Sequence, residues 1–152
     1  MMLPDVDDVL ASLADTVATG IAPHVQDEHA ASLCRTVVQL LGSVRARVAA
    51  EGPALAEDND DLRALLARLR DAVPAPVAEE VDAALAWSGD GSSPTVPSLQ
   101  AEARVLRGAL VACINAIPDR EHPARAEIRA YLQRQLDRQR PWLIDAFTGP
   151  RR

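Results

Sequence analysis

Apolar residues recur at helical spacing along most of the chain, and the strongest such pattern covers residues 27–50. Its centre is formed by residues three or four positions apart, namely Ala30, Cys34, Val37, Leu41, Val44 and Val48. This spacing predicts a helix that buries one face. Leu33, Val38 and Leu40 widen the apolar sector to roughly 160° of the circumference. One partner helix cannot cover so wide a sector, so we expect at least two neighbours.

The same period predicts further helices on both sides of this one. Together with the helix at about 28–50, long helices are expected at about 5–22, 98–117 and 124–140. Two short helices are expected at about 60–73 and 77–87. Short connections favour antiparallel neighbours. The sequence therefore predicts an all-α fold, a single-domain antiparallel bundle over residues 1–152 with four long and two short helices.

Glycine, proline and capping residues set the expected helix ends. Gly52-Pro53 is expected to end the second helix, and Asp58 or Asn59 to cap the next one. Ser98 is expected to cap the helix that follows residues 88–97. Those residues, rich in glycine, serine and proline, predict an exposed flexible loop. Residues 148–152 are expected to form a basic tail.

The charge is distributed unevenly. The net charge is −6, with −8 over residues 1–61 and +3 over residues 118–152. Solvated helix faces and a basic tail explain this distribution. The alternative is that the basic end docks on an acidic surface, either its own or that of a partner. The acidic balance argues against nucleic-acid binding, including binding through the arginines of the last helix.

The two cysteines, Cys34 and Cys113, both fall on apolar helical positions. Two buried free thiols are typical of a reducing compartment, which predicts a cytoplasmic protein. No apolar run approaches the roughly 18 residues of a membrane span. Asp5, Asp7 and Asp8 stand where a secretory signal would be basic. No membrane association is expected.

One polar cluster is a candidate ligand-binding site. His24, Asp27 and His29 lie together at the expected turn between the first two helices. Their spacing does not place them on one helical face, so a metal site is not expected there, and Asp27 is expected to cap the helix. The acidic run at residues 57–61 lacks the ligand pattern of a calcium-binding EF-hand loop. No catalytic motif, metal site or cofactor site is predicted.

Residues 20–70 resemble a family of small all-helical bacterial proteins, mostly actinobacterial, without assigned function. The resemblance depends on Asp27, Ala30, the pair Leu40-Leu41, Arg47, Asn59 and the pair Leu62-Arg63. Some relatives lie beside kinases similar to aminoglycoside phosphotransferases and beside acyl-CoA dehydrogenases. The resemblance implies an accessory role and assigns no activity to any residue.

These observations predict a non-catalytic helical module that acts through protein contacts. Its wide apolar sector favours a homodimer, or association with another protein. The alternative is a small-molecule or acyl-chain binding protein, conceivably an unusual enzyme, with an apolar pocket between helices. A cavity of a few hundred Å³ with convergent polar groups would favour that alternative.

Overall fold

A computed structural model describes residues 4–88 and 94–143 of the chain. Within these ranges the protein is all-α, as predicted, and contains no β-strand. The α-helices are α1 (Val6–Asp15), α2 (Glu28–Leu69), α3 (Ala75–Ala86), α4 (Val96–Ala116) and α5 (Pro123–Leu143). A π-helical segment (Thr16–Ile21) and a 3₁₀ turn (Ala22–His24) follow α1, and a 3₁₀ turn (Arg70–Ala72) follows α2. No helix in the described ranges is long and apolar enough to cross a membrane.

Helix α2 continues through Gly52-Pro53, so the prediction that these residues end a helix was wrong. The second and third expected helices form one helix of 42 residues. Pro53 has no N–H to donate to the carbonyl of Ala49, which costs about 3 kcal/mol in a helix interior. Gly52 does not adopt the left-handed conformation of a helix-terminating glycine. The local penalty is therefore outweighed by the helical bonds and packing of the residues on either side.

The chain divides into two compact units. The first comprises Met1–Ala50 with Gln139–Arg152, and the second comprises Glu51–Arg138. The prediction of one domain over residues 1–152 stays a prediction, as does the antiparallel order of the helices. Residues 89–93 of the expected loop and the basic tail at 148–152 lie outside the described residues, whereas Val96 and Pro97 belong to α4.

The first unit contains α1 and the N-terminal part of α2. The guanidinium of Arg45 donates to both carboxylate oxygens of Asp7 at 2.7 and 2.8 Å, which joins the two helices. This hydrogen-bonded contact lowers the pKa of Asp7. Leu10, Cys34 and Leu41 are only half-buried, and no described side chain from residue 4 to residue 50 is fully buried. The expected apolar face is therefore only partly covered.

The second unit holds the hydrophobic core. Fully buried aliphatic and aromatic residues come from α2, α3, α4 and α5, among them Leu62, Leu65, Leu66, Leu69, Val81, Leu106, Leu110, Cys113, Ile128 and Tyr131. Burial raises the pKa of the Cys113 thiol, and both cysteines are free. The four leucines of α2 lie within the short helix predicted at about 60–73 and recur at helical spacing. The core of the molecule is thus in the second unit and not on the helix segment at residues 28–50.

The ends of α3 and α4 are fixed by side-chain hydrogen bonds. Thr95, not Ser98, caps α4, and the two form a capping box in which Ser98 Oγ accepts the N–H of Thr95 at 2.8 Å. Arg63 of α2 donates to the carbonyls of Leu85 and Trp87, at 2.8 and 2.9 Å, at the C-terminal end of α3. Carbonyls at a helix C-terminus have no partner within their own helix, so the Arg63 side chain caps the C-terminal end of α3.

Candidate functional site

The predicted ligand-binding cluster lies at the start of α2. Asp27 Oδ1 accepts the backbone N–H of Ala30 at 2.7 Å, which is the expected capping bond. His24 ends the 3₁₀ turn and His29 lies in the first turn of α2, and both are exposed. Within the described part of the chain, no group of three or more His, Cys, Asp or Glu residues could hold a metal ion. Ligand binding by His24, Asp27 and His29 stays a prediction.

Asp58 and Asn59 are buried in the interior of α2, so neither caps a helix as predicted. Their exposed fractions are 4% and 1%, respectively. Because α2 does not end at Gly52-Pro53, these residues lie several turns inside it and their side chains extend toward α4 and α5. A buried carboxylate and a buried amide require hydrogen-bond partners, and those partners define a polar cluster in the second unit.

Asp58 accepts hydrogen bonds from four side chains on α4 and α5. Its Oδ2 accepts from Arg107 Nη2 at 2.8 Å, from Gln135 Nε2 at 3.2 Å and from Tyr131 Oη at 3.3 Å. Its Oδ1 accepts from Arg138 Nη1 at 3.3 Å. Two guanidinium groups thus compensate one buried carboxylate. These four donors satisfy the hydrogen-bonding capacity of the Asp58 carboxylate, which connects α2 to α4 and α5.

The buried position of Tyr131 changes its acidity. Burial, together with the adjacent negative charge of Asp58, raises the pKa of the Tyr131 phenol to about 12. Burial disfavours the charge of Arg107, but the hydrogen bond to Asp58 leaves the pKa of this guanidinium raised. At neutral pH Tyr131 is therefore a neutral donor to Asp58, and Arg107 is a permanent cation.

Asp61, one turn beyond Asp58, receives the basic residues of α5. Arg134 donates to its two oxygens at 2.8 and 2.9 Å, and Arg138 donates to Oδ2 at 2.9 Å. The hydrogen bond from Arg134 is the main cause that lowers the pKa of Asp61. Arg138 also forms an ion pair with Glu57 at 3.1 Å. Within the second unit, basic residues of the C-terminal third thus dock on the acidic run of the same chain, which was the alternative interpretation of the charge distribution.

Asn59 extends the polar cluster toward α4. Its Nδ2 donates to the carbonyl of Leu99 at 3.0 Å and to Glu102 Oε2 at 3.1 Å. Arg63 Nε donates to Glu102 Oε1 at 2.6 Å. Glu102 therefore bridges two residues of α2 that are one turn apart, and it positions Arg63 for its bonds to the end of α3.

A groove on the second unit combines arginine and aliphatic side chains. It has a volume of about 430 Å³ and is lined by Ile114, Arg120, Arg125, Ile128, Arg129 and Leu132. Arg125 donates through Nε to the carbonyl of Ile117 and through Nη2 to the carbonyl of Ile114, each at 2.8 Å. The groove thus lies where α4 ends and α5 begins. Its volume is within the range of small-molecule sites, roughly 300–1,000 Å³, and half of its lining residues are arginines.

The first unit presents an exposed apolar face. We define this face by nine large aliphatic residues of α1, the π-helical segment and α2 that are each between 42% and 56% exposed: Val6, Val9, Leu13, Ile21, Leu33, Val37, Leu40, Val44 and Val48. On α2 they follow one another at four, three, four and four positions, which is a continuous stripe along a helix. Large apolar side chains exposed in such a row are uncommon on the surface of a monomeric protein.

The polar cluster around Asp58 was missed by the sequence analysis, although one signal for it was present. The inward-facing positions of α5 include Ile128, Tyr131, Gln135 and Arg138, at three-, four- and three-residue steps. This face changes from apolar to polar along the helix. A half-buried arginine on such a face requires a buried acceptor, and the nearest acidic run in the sequence is at residues 57–61.

No protein-family model, curated protein or solved structure matches this chain. The resemblance of residues 20–70 to actinobacterial proteins therefore stays a prediction.

Proposed function

We propose that this chain is a non-catalytic helical interaction module that forms a homodimer through the exposed apolar face of its first unit. The observation that carries the proposal is the absence of any fully buried side chain among residues 4–50, in a segment that is nevertheless almost entirely helical. Helices in proteins gain most of their stability from tertiary packing of an apolar face, and isolated helices are marginally stable in water. A partner that covers this face would supply that packing.

The energy available from such burial is substantial. Complete burial of a Val or Leu side chain contributes about 1.5–3 kcal/mol. The side chains of the exposed apolar face, including Leu33 and Leu40, are about half exposed. Each would therefore gain on the order of 1 kcal/mol on being covered. Summed over the nine residues of the face on two copies, the gain is on the order of 15–20 kcal/mol, which has to offset about 4–15 kcal/mol of lost translational and rotational freedom as well as side-chain ordering.

A second copy of the chain is the partner that the spacing on α2 favours. Leu33, Val37, Leu40 and Val44 alternate at four, three and four residues, as the core positions of a coiled coil do. From Leu33 to Val48 the stripe is roughly 22 Å long at 1.5 Å per residue. A stripe with this period is complementary to itself, and two-fold association places the same residues on both sides of the interface.

The accessory role and the location belong to the same proposal. Two free cysteines, one of them buried, support a reducing compartment such as the cytoplasm. The buried carboxylate of Asp58 is fully engaged by the protein, which supports a structural and not a catalytic use of the most polar site. The proposal also includes antiparallel packing of the helices in each unit and an accessory role in a bacterial cell.

Light scattering on the full chain tests the homodimer. We expect twice the 16.3 kDa chain mass at micromolar concentration. Leu40→Glu places a charge within the exposed apolar face and should give a monomer. Gln39→Glu, on an adjacent exposed position outside the stripe, is the matched control and should stay dimeric. A wild-type monomer at every accessible concentration would refute the proposal, and equal behaviour of the two variants would exclude this face.

A further inference from the structure

The groove at the junction of α4 and α5 carries a local excess of positive charge. Three of its lining residues are arginines, Arg120, Arg125 and Arg129, and none is acidic. Asp119 and Glu121 of the adjoining turn do not line the groove, and Asp119 Oδ1 accepts the backbone N–H of Glu121 at 2.9 Å. A chain with a net charge of −6 therefore presents a cationic concavity. Such a site selects an anion.

The three arginines differ in the hydrogen bonds that they form within the protein. Arg125 is fixed by its two bonds to the carbonyls at the end of α4. Arg129 donates to the carbonyl of Arg120 at 3.4 Å, a long bond that orients it toward the turn. The Arg120 guanidinium has no partner among the described residues and is exposed. One guanidinium fork is thus open, and such a fork matches a single carboxylate in bidentate geometry.

The remaining lining is aliphatic. Ile114, Ile128 and Leu132 form the apolar part of the groove, and Leu132 is 38% exposed. The volume of about 430 Å³ lies in the range of small-molecule sites, roughly 300–1,000 Å³. A ligand that satisfies both parts has an anionic head and a short apolar body.

We propose that this groove binds a small amphipathic carboxylate of the acyl-chain type. Arg120 and Arg129 bind the carboxylate, Arg125 contributes fixed positive charge, and the hydrocarbon body covers Ile114 and Leu132 over the buried Ile128. The site belongs to the second unit and does not depend on the homodimer, so each proposal can fail while the other holds.

Isothermal titration calorimetry of the full-length protein with octanoate, below its micelle-forming range, tests the site. We expect saturable binding of one octanoate per chain. Octan-1-ol, which has the same apolar body without the charge, should bind at least tenfold more weakly. Raising the ionic strength should weaken octanoate binding and leave octanol unaffected, because exposed charges are screened by salt.

Matched arginine substitutions locate the binding. Arg120→Gln and Arg129→Gln change exposed side chains, and each should reduce octanoate affinity at least fivefold while the circular dichroism spectrum is kept. Arg104→Gln, an exposed arginine of α4 that does not line the groove, should leave the affinity unchanged. Octyl phosphate has the same apolar body with a phosphate head, so it tests whether the groove prefers a carboxylate. It should bind no more than tenfold more tightly than octanoate.

The proposal is overturned if octanoate shows no saturable binding, or if octanol binds as well as octanoate. It is also overturned if Arg120→Gln behaves like Arg104→Gln. Tighter binding of octyl phosphate beyond tenfold would overturn the assignment of a carboxylate ligand.

Discussion

The hydroxyl of Tyr131 donates to the carboxylate of Asp58 at 3.3 Å, and these residues are 73 positions apart in the chain. Both are almost completely buried, at 0% and 4% exposure. The contact joins the middle of α2 to α5 inside the second unit. The same carboxylate binds Arg107 of α4, so one side chain connects three helices. Two of the following predictions depend on this arrangement.

Replacing Asp58 by asparagine should destabilise the second unit by about 3 kcal/mol. The change keeps the size of the side chain but leaves Arg107 and Arg138 without their shared counter-charge, and removing one partner of a buried ion pair costs about 3–5 kcal/mol. We take the lower end because Arg107 is 40% exposed. Chemical denaturation followed by circular dichroism measures the loss.

Asp60→Asn is the matched control for Asp58→Asn. Asp60 is an exposed residue of the same acidic run, and its substitution should change the free energy of unfolding by less than about 0.5 kcal/mol. If the two variants lose the same stability, the carboxylate of Asp58 does not hold the three helices together.

Alkaline pH should destabilise the protein through Tyr131. The folded-state pKa of about 12 lies above the ordinary value of 10, so the folded protein retains a proton that the unfolded chain has released. Stability from this group is complete below about pH 10 and falls as pH rises to about 12. At 1.36 kcal/mol per pKa unit, the total loss is about 2–3 kcal/mol.

The chain has a single tyrosine, so tyrosinate absorbance follows this titration directly. We expect the native protein to ionise near pH 12 and the denatured protein near pH 10. Tyr131→Phe should remove the alkaline step in the unfolding free energy that the wild type shows. A native titration near pH 10 would contradict the buried contact with Asp58.

Gly52→Ala should stabilise the protein by about 0.5–1 kcal/mol. In a continuous α2, alanine has the higher helix propensity. A β-carbon at this position would meet Val96 Cγ2 at 3.7 Å, an ordinary van der Waals contact. Thermal and chemical denaturation measure the change. A loss of stability would instead indicate that Gly52 ends a helix in the left-handed conformation, as its sequence context alone suggests.

Apolar periodicity was sufficient to predict much of the core. The helices predicted at about 60–73 and 98–117 both contribute buried apolar residues at helical spacing, because a helical period determines which residues share a face. The same reasoning placed a core on residues 28–50, where the structure leaves Val37 and Val44 exposed. A period shows that a face is apolar, but it does not show which partner covers that face.

The polar cluster was missed because the predicted helix boundary at Gly52-Pro53 was wrong. Acidic residues and an asparagine ahead of a leucine-rich segment have the pattern of a helix start. If a helix ended at Pro53, Asp58 and Asn59 would lie at the start of the next helix, where their side chains could cap it. In the continuous α2 they lie in the helix interior instead. The groove was missed for another reason: its arginines come from the turn after α4 and from two successive turns of α5, and only the fold brings them together.

The buried position of Asp58 also limits the number of alignments in which the helices of the second unit can pack. Its core consists almost entirely of aliphatic side chains, and such residues interchange at modest cost, so several alignments of α5 along α2 would have similar hydrophobic energy. A slide of one turn, about 5.4 Å, would break the bonds of Asp58 to Tyr131, Gln135 and Arg138 and leave Arg107 as its remaining partner. The native alignment avoids that penalty. This carboxylate therefore contributes to the uniqueness of the fold, by excluding neighbouring registers, as well as to its strength.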